Sequence, residues 1–151
     1  MSDPEIVVAF DKATSYKPTT FTQLWHLPYD VSFKASGTRA TAAGKGVTTT
    51  LLQLPAAGVT ATKFGAVKGS TKPIQGWQWT DYFHKYKAPV ATVTQKGTKA
   101  AMVTAIVAAP GTTPVSVKPV ISGSTTTYTF RVGSKTAVVT LDAKGTLTRI
   151  R

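Results

Sequence analysis

Short runs of apolar and β-branched residues, cut at close intervals by Gly, Pro and Ser, constrain this chain more than any other feature. The runs cover 6–10, 20–27, 31–33, 47–54, 90–94, 101–107, 115–120, 125–132, 136–141 and 147–150. The breaks fall at Gly44-Lys45-Gly46, Ala57-Gly58, Lys96-Gly97, Pro110-Gly111, Ser122-Gly123-Ser124, Gly133-Ser134 and Lys144-Gly145. Several runs alternate with the period of a strand. In Thr127-Tyr128-Thr129-Phe130-Arg131-Val132 every large apolar side chain falls on one face and Thr or Arg on the other. Gly133-Ser134 between two such runs predicts a tight hairpin. Heavy use of Thr suits a pleated surface and disfavours helix interiors. Pro89, Pro110, Pro114 and Pro119 argue against a long helix across the Ala-rich stretch 100–109. The expectation is an all-β fold, an antiparallel two-sheet β-sandwich. No internal repeat and no long linker divides it. Residues 1–5 are expected to be a disordered start or an appended scar, and 6–151 a single domain.

Composition narrows what such a sandwich does. A chain of 151 residues with 42% hydrophobic content can bury a core without a staple. The absence of Cys excludes disulfides, thiol catalysis and Cys-based zinc sites. No apolar run approaches the length of a membrane-spanning helix, and the opening residues lack the basic and apolar regions of a secretory signal. Lys and Arg total 18 against 6 Asp and Glu, a net charge of +12, which favours an anionic partner. Beyond Asp3 and Glu5 the only carboxylates are Asp11, Asp30, Asp81 and Asp142, and the only imidazoles His26 and His84. Glycoside hydrolysis needs two facing carboxyls, and two-metal phosphoryl chemistry needs more acids still. No catalytic residue, metal site or cofactor is therefore expected. The basic residues form no run of three, and Lys far outnumbers Arg. That pattern suits diffuse attraction to a polyanion and suits sequence-specific DNA reading badly.

The stretch 72–89 is the most unusual. It holds Trp77, Trp79, Tyr82, His84, Lys85, Tyr86 and Lys87. Aromatic faces stack on sugar rings or bases, while Lys and His supply positive charge for carboxylates, sulfates or phosphates. Trp77 and Trp79 share a face if they lie on a strand. The competing reading is that they fill the core at one end of the sandwich. Tyr82, His84 and Tyr86 share strand parity as well, a spacing that fits either proton transfer or an idle exposed strand. The cluster Gln23-Leu24-Trp25-His26-Leu27-Pro28 reads as structural, with His26 half-buried and hydrogen-bonded.

Four phrases together carry a resemblance. Ile6-Val7-Val8-Ala9-Phe10-Asp11-Lys12-Ala13 leads to Phe21-Thr22-Gln23-Leu24-Trp25-His26-Leu27-Pro28. Pro73-Ile74-Gln75-Gly76-Trp77 leads through Tyr82 to Ala88-Pro89-Val90, and 101–107 and the hairpin at Gly133-Ser134-Lys135 follow. In order and spacing these resemble the C-terminal β-sandwich region of heparinase II/III-like polysaccharide lyases. In that family an N-terminal α/α toroid carries most of the catalytic groups, and the sandwich packs against it and lines part of the groove for an acidic polysaccharide. The resemblance implies a non-catalytic sandwich here, because this chain lacks the toroid and starts after the His-Asn-containing strand of such enzymes. It implies two partners, an acidic polysaccharide and the helical toroid domain of a parent lyase. It also implies a secreted, extracellular or cell-surface setting. Trp77 and Tyr82 match the family phrase and become candidates for groove lining. His84 does not match, so no catalytic role passes to it. The expected substrate-binding set is Trp77, Trp79, Tyr82, His84, Lys85 and Lys87. An adhesin-like or cell-surface structural sandwich is the alternative, with a β-rich nucleic-acid binder and an isolated active lyase behind it.

Overall fold

The computed structural model describes residues 4–59 and 62–150, and every element among them is a strand. The large sheet contains β1 (Glu5–His26), β2 (Ser32–Ser36), β3 (Arg39–Gly44), β4 (Val47–Leu54), β5 (Lys63–Lys68) and β10 (Pro89–Pro110). Its order is β1-β10-β4-β3-β2, with β5 beside the first part of β10. A four-stranded sheet of β11 (Val115–Ser122), β12 (Thr125–Val132), β13 (Lys135–Leu141) and β14 (Leu147–Arg149) follows in simple meander order. Two small hairpins lie between β5 and β10: β6 (Ser70–Thr71) with β7 (Ile74–Gln75), and β8 (Trp77–Trp79) with β9 (Lys85–Lys87). All pairings are antiparallel, as the sequence pattern predicts.

The main core lies between the two large sheets. Tyr128, Phe130 and Val132 of β12 alternate inward, as their spacing requires, and meet Leu52, Leu54, Val103, Ala105 and Val107 from β4 and β10. Burying each large side chain contributes about 1.5–3 kcal/mol. Ile6, Val8 and Phe10 close this core from β1. The predicted hairpin holds: Val132 pairs with Lys135 across Gly133-Ser134. Gly133 has φ +60°, the left-handed value that a two-residue turn demands of its first residue.

The length of β1 and β10 differs from the sequence expectation. The runs 6–10 and 20–27, except for Leu27, belong to one strand of 22 residues, and 90–94 and 101–107 belong to another. The polar stretches between them read as breaks. They are instead a continuous ribbon, paired from Glu5↔Ala108 to His26↔Val90 with a register shift between Thr14 and Thr19. At that irregularity the ribbon doubles over. The Thr104 hydroxyl of one half donates to Gln23 Oε1 of the other at 2.6 Å, and Gln23 Nε2 donates to Asp11 at 2.6 Å. Ala91 with Trp25, and Val93 with Phe21, thereby pack over Leu51, Ile106 and Met102. The sandwich thus gains a third layer from one of its own sheets. The expected boundary at residue 6 moves by one, because Glu5 already pairs with Ala108. Residues 1–3, 60, 61 and 151, at the ends and within the expected domain, lie outside the described residues.

Candidate functional site

The hairpin of β8 and β9 is built with two different faces. Trp77 pairs with Lys87 and Trp79 with Lys85, so all four side chains share one face. Gln78 and Tyr86, opposite one another, take the other face and fasten the hairpin to the body. The Tyr86 ring stacks on Tyr29 with centroids 4.4 Å apart, and Gln78 Oε1 accepts the Tyr29 amide at 3.0 Å. The base is tied by Gly76, whose carbonyl accepts the amides of Gly69 at 2.8 Å and Ala88 at 2.9 Å. Gly76 has φ +76°, and a β-carbon there would meet Gly69 N at 2.8 Å and Ala88 O at 2.9 Å. No other residue fits that position without displacing backbone.

On the presenting face the two indoles are not equivalent. Trp77 is half-buried, with its Nε1 donating to the Ser70 carbonyl at 2.7 Å. Trp79 is 62% exposed. The Lys85 ammonium lies over both rings, 4.3 Å from the Trp77 centroid and 5.4 Å from that of Trp79, a cation–π clasp. Lys87 lies over Gly69, where an added β-carbon would meet its Cγ at 2.5 Å. The sequence reading that placed both Trp side chains on one face is correct. The alternative of a core-filling pair fails for Trp79.

The residues between the strands are not a strand. Residues 80–84 form the turn of the hairpin, so Tyr82, His84 and Tyr86 do not share a face. Asp81 organises this turn: its Oδ1 accepts the amides of Phe83 at 2.9 Å and His84 at 3.0 Å, and its carboxylate lies 2.7 Å from His84 Nδ1. The Phe83 amide, then the His84 ring, hold the Asp81 carboxyl below its ordinary value. Tyr82 and Phe83 project at the tip, 90% and 84% exposed, with their rings edge to face at 5.3 Å. A shallow depression lined by Trp79, Thr80, Asp81 and Tyr82 lies beside them.

All six expected residues therefore belong to one projecting hairpin. Trp77, Trp79, Lys85 and Lys87 form its presenting face, while Tyr82 and His84 sit at its tip. Phe83 belongs with them and was missed, since strand parity would have turned it away. The anchors Tyr29 and Gln78 were missed too, because their role depends on a contact 49 residues apart in sequence. His26 is exposed at the end of β1, not half-buried as expected, because the inward positions there belong to Trp25 and Leu27. Among the described residues no group of three His, Asp or Glu gathers as a metal site would require.

No family model, curated protein or solved structure matches the chain. The arrangement on the hairpin itself therefore carries the functional argument: an exposed indole, a lysine clasp and a pair of aromatic rings on a hairpin tied to the body through Tyr29 and Gly76.

Proposed function

We propose that this chain is a non-catalytic β-sandwich domain of the kind found at the C-terminus of heparinase II/III-type polysaccharide lyases, and that it contacts an acidic polysaccharide through the β8–β9 hairpin. The observation that carries the reading is the shared face of Trp79, Lys85 and Lys87, with Tyr82 adjoining at the tip. A sugar ring presents its C–H face to an indole, and its carboxylate or sulfate meets lysine ammonium groups beside it. Lys85 holds charge next to the stacking platform, and Trp77 fixes Lys85 in place from below. In this reading the sandwich supports a helical toroid domain of a parent lyase, in the extracellular or cell-surface setting where acidic glycans occur. The net charge of +12 supports attraction to the polymer before any specific contact forms.

The test is titration with heparin, alginate and hyaluronate at low ionic strength, read by tryptophan fluorescence and by the indole N–H resonances. Trp79 is expected to respond most. Trp79→Ala is expected to weaken binding about tenfold, in line with the loss of one stacking platform. The proposal fails if all three polymers leave Trp79, Tyr82 and Lys85 unmoved.

A further inference from the structure

Exposed large apolar side chains are mostly isolated in this protein. On β1 they stand at Val7, Tyr16 and Leu24, well apart along the strand, and Val120 and Ile121 of β11 point to opposite faces. Single exposures of this kind need no explanation. Residues 79–83 break the pattern. Trp79, Tyr82 and Phe83 are exposed together, the last two rings touch edge to face, and Trp79 and Tyr82 line one depression. Ile74, also exposed, stands on the β6–β7 hairpin, which joins this one at Gly76. An exposed apolar patch of this kind marks a contact surface. The polar groups of the turn are largely paired within it. The Thr80 amide donates to the His84 carbonyl at 3.1 Å, and the Asp81 carboxylate takes the Phe83 and His84 amides and the His84 ring. Moving such a turn out of bulk water strands few backbone donors. Charge around it is one-sided. Asp81 is the only carboxylate between residues 31 and 141, whereas Lys68, Lys72, Lys85 and Lys87 all stand exposed on the two hairpins or at the end of β5 that leads into them. Asp30, next to the anchoring Tyr29, is paired with Lys45 at 3.5 Å.

We infer that the tip of the β8–β9 hairpin docks on an anionic phospholipid surface, with Trp79, Tyr82 and Phe83 in the headgroup layer and Lys85 and Lys87 against lipid phosphates or carboxylates. The inference goes beyond the glycan reading and stands on other observations: the rings at the tip, Phe83 among them, and the pairing within the turn. Ring chemistry and charge together select a lipid surface. Indole and phenol rings settle at the boundary between headgroups and hydrocarbon, where the ring is dry and its N–H or O–H is wet. Lysines beside an anionic bilayer add an attraction that salt screens. The Lys85 ammonium lies 5.4 Å from the Trp79 centroid, so that charge sits next to a ring that enters. Insertion stays shallow, because Asp81, His84 and Lys85 border the rings and keep to water and headgroups. A fluid bilayer needs no cavity matched to the turn, whereas a folded protein partner would have to supply one. A second copy of the chain would set +12 against +12.

The probe is a set of vesicles made of phosphatidylcholine alone or mixed with phosphatidylserine, each with or without acyl chains brominated close to the headgroup. The whole chain is expected to co-sediment with the mixed vesicles at low salt and to leave the neutral ones. Brominated lipid should quench the emission of Trp79, a signal lost in Trp79→Phe because Trp25 and Trp77 are half-buried. The double variant Tyr82→Ser, Phe83→Ser, at two exposed positions, should weaken vesicle binding about tenfold and keep the urea midpoint. Lys87→Gln should weaken it about fivefold. No binding to the mixed vesicles, equal binding to neutral ones, binding without quenching, or binding that the double variant leaves intact would each overturn the inference. So would self-association of the free protein through Tyr82 and Phe83. Heparin, alginate and hyaluronate are titrated without lipid, so either reading can fail while the other stands.

Discussion

Tyr128 carries a hydroxyl into the centre of the core, where it donates to the Pro55 carbonyl at 2.9 Å. Burial pushes its pKa up to about 12 from 10.0. The folded state therefore binds this proton more tightly than the unfolded chain does. Its stability is complete below pH 10 and falls as pH rises through 12. Tyr128→Phe should remove this alkaline dependence from urea unfolding curves and delete the latest phase of tyrosinate absorbance. At neutral pH it should cost about 1 kcal/mol, since the Pro55 carbonyl loses its partner. Asp81 works in the opposite sense. Its carboxyl lies below the ordinary 3.8, so what it gives the hairpin turn is present above that pH and disappears as pH falls through the lowered value. Amide resonances of Phe83 and His84 should follow that acid transition, and Asp81→Ala should shift both at neutral pH. Asp142 is held low first by the Thr146 amide and stabilises the turn before β14 in the same manner.

Among the elements, the β8–β9 hairpin should be separable from the sandwich. Gly76→Ala places a methyl against Gly69 and Ala88, so it should displace the hairpin, redden Trp79 emission and weaken glycan binding. Its effect on the urea midpoint should be small beside that of Phe130→Ala, a core truncation costing about 3–5 kcal/mol. The contrast also explains what could be read in advance. Strands such as β12 and β13 were legible because large side chains alternate with Thr, and Gly133 marks the turn. β3, Arg-Ala-Thr-Ala-Ala-Gly, was not, because its inward positions are only Ala40 and Ala42. β5 escaped for the same reason, with Gly65 and Ala66 between Phe64 and Val67. The middle of β1 looked like a loop because solvent-facing strand residues and loop residues share a composition. At the site, parity placed Trp77 and Trp79 correctly. It misplaced Tyr82 and His84, because the Asp81 turn that interrupts the strand depends on side-chain hydrogen bonds that no periodicity encodes.

For the whole molecule, charge sets how a polyanion is met. Retention on immobilised heparin should fall steeply with salt, and Lys85→Gln should reduce the salt slope by about one. An unchanged slope would place the glycan elsewhere on the surface. Topology carries a separate consequence. The first strand of the chain finds its partner at residues 90–108, from His26 with Val90 to Glu5 with Ala108. A ribosome making this protein delivers β1 before its equally long mate β10, with β2 to β9 made in between. Until then the apolar residues toward the two ends of β1, among them Ile6, Val8, Phe10, Phe21 and Trp25, must wait without their partner strand. Nascent chains truncated before Pro89 should consequently recruit chaperones, whereas those extended past Pro110 should be able to close the ribbon.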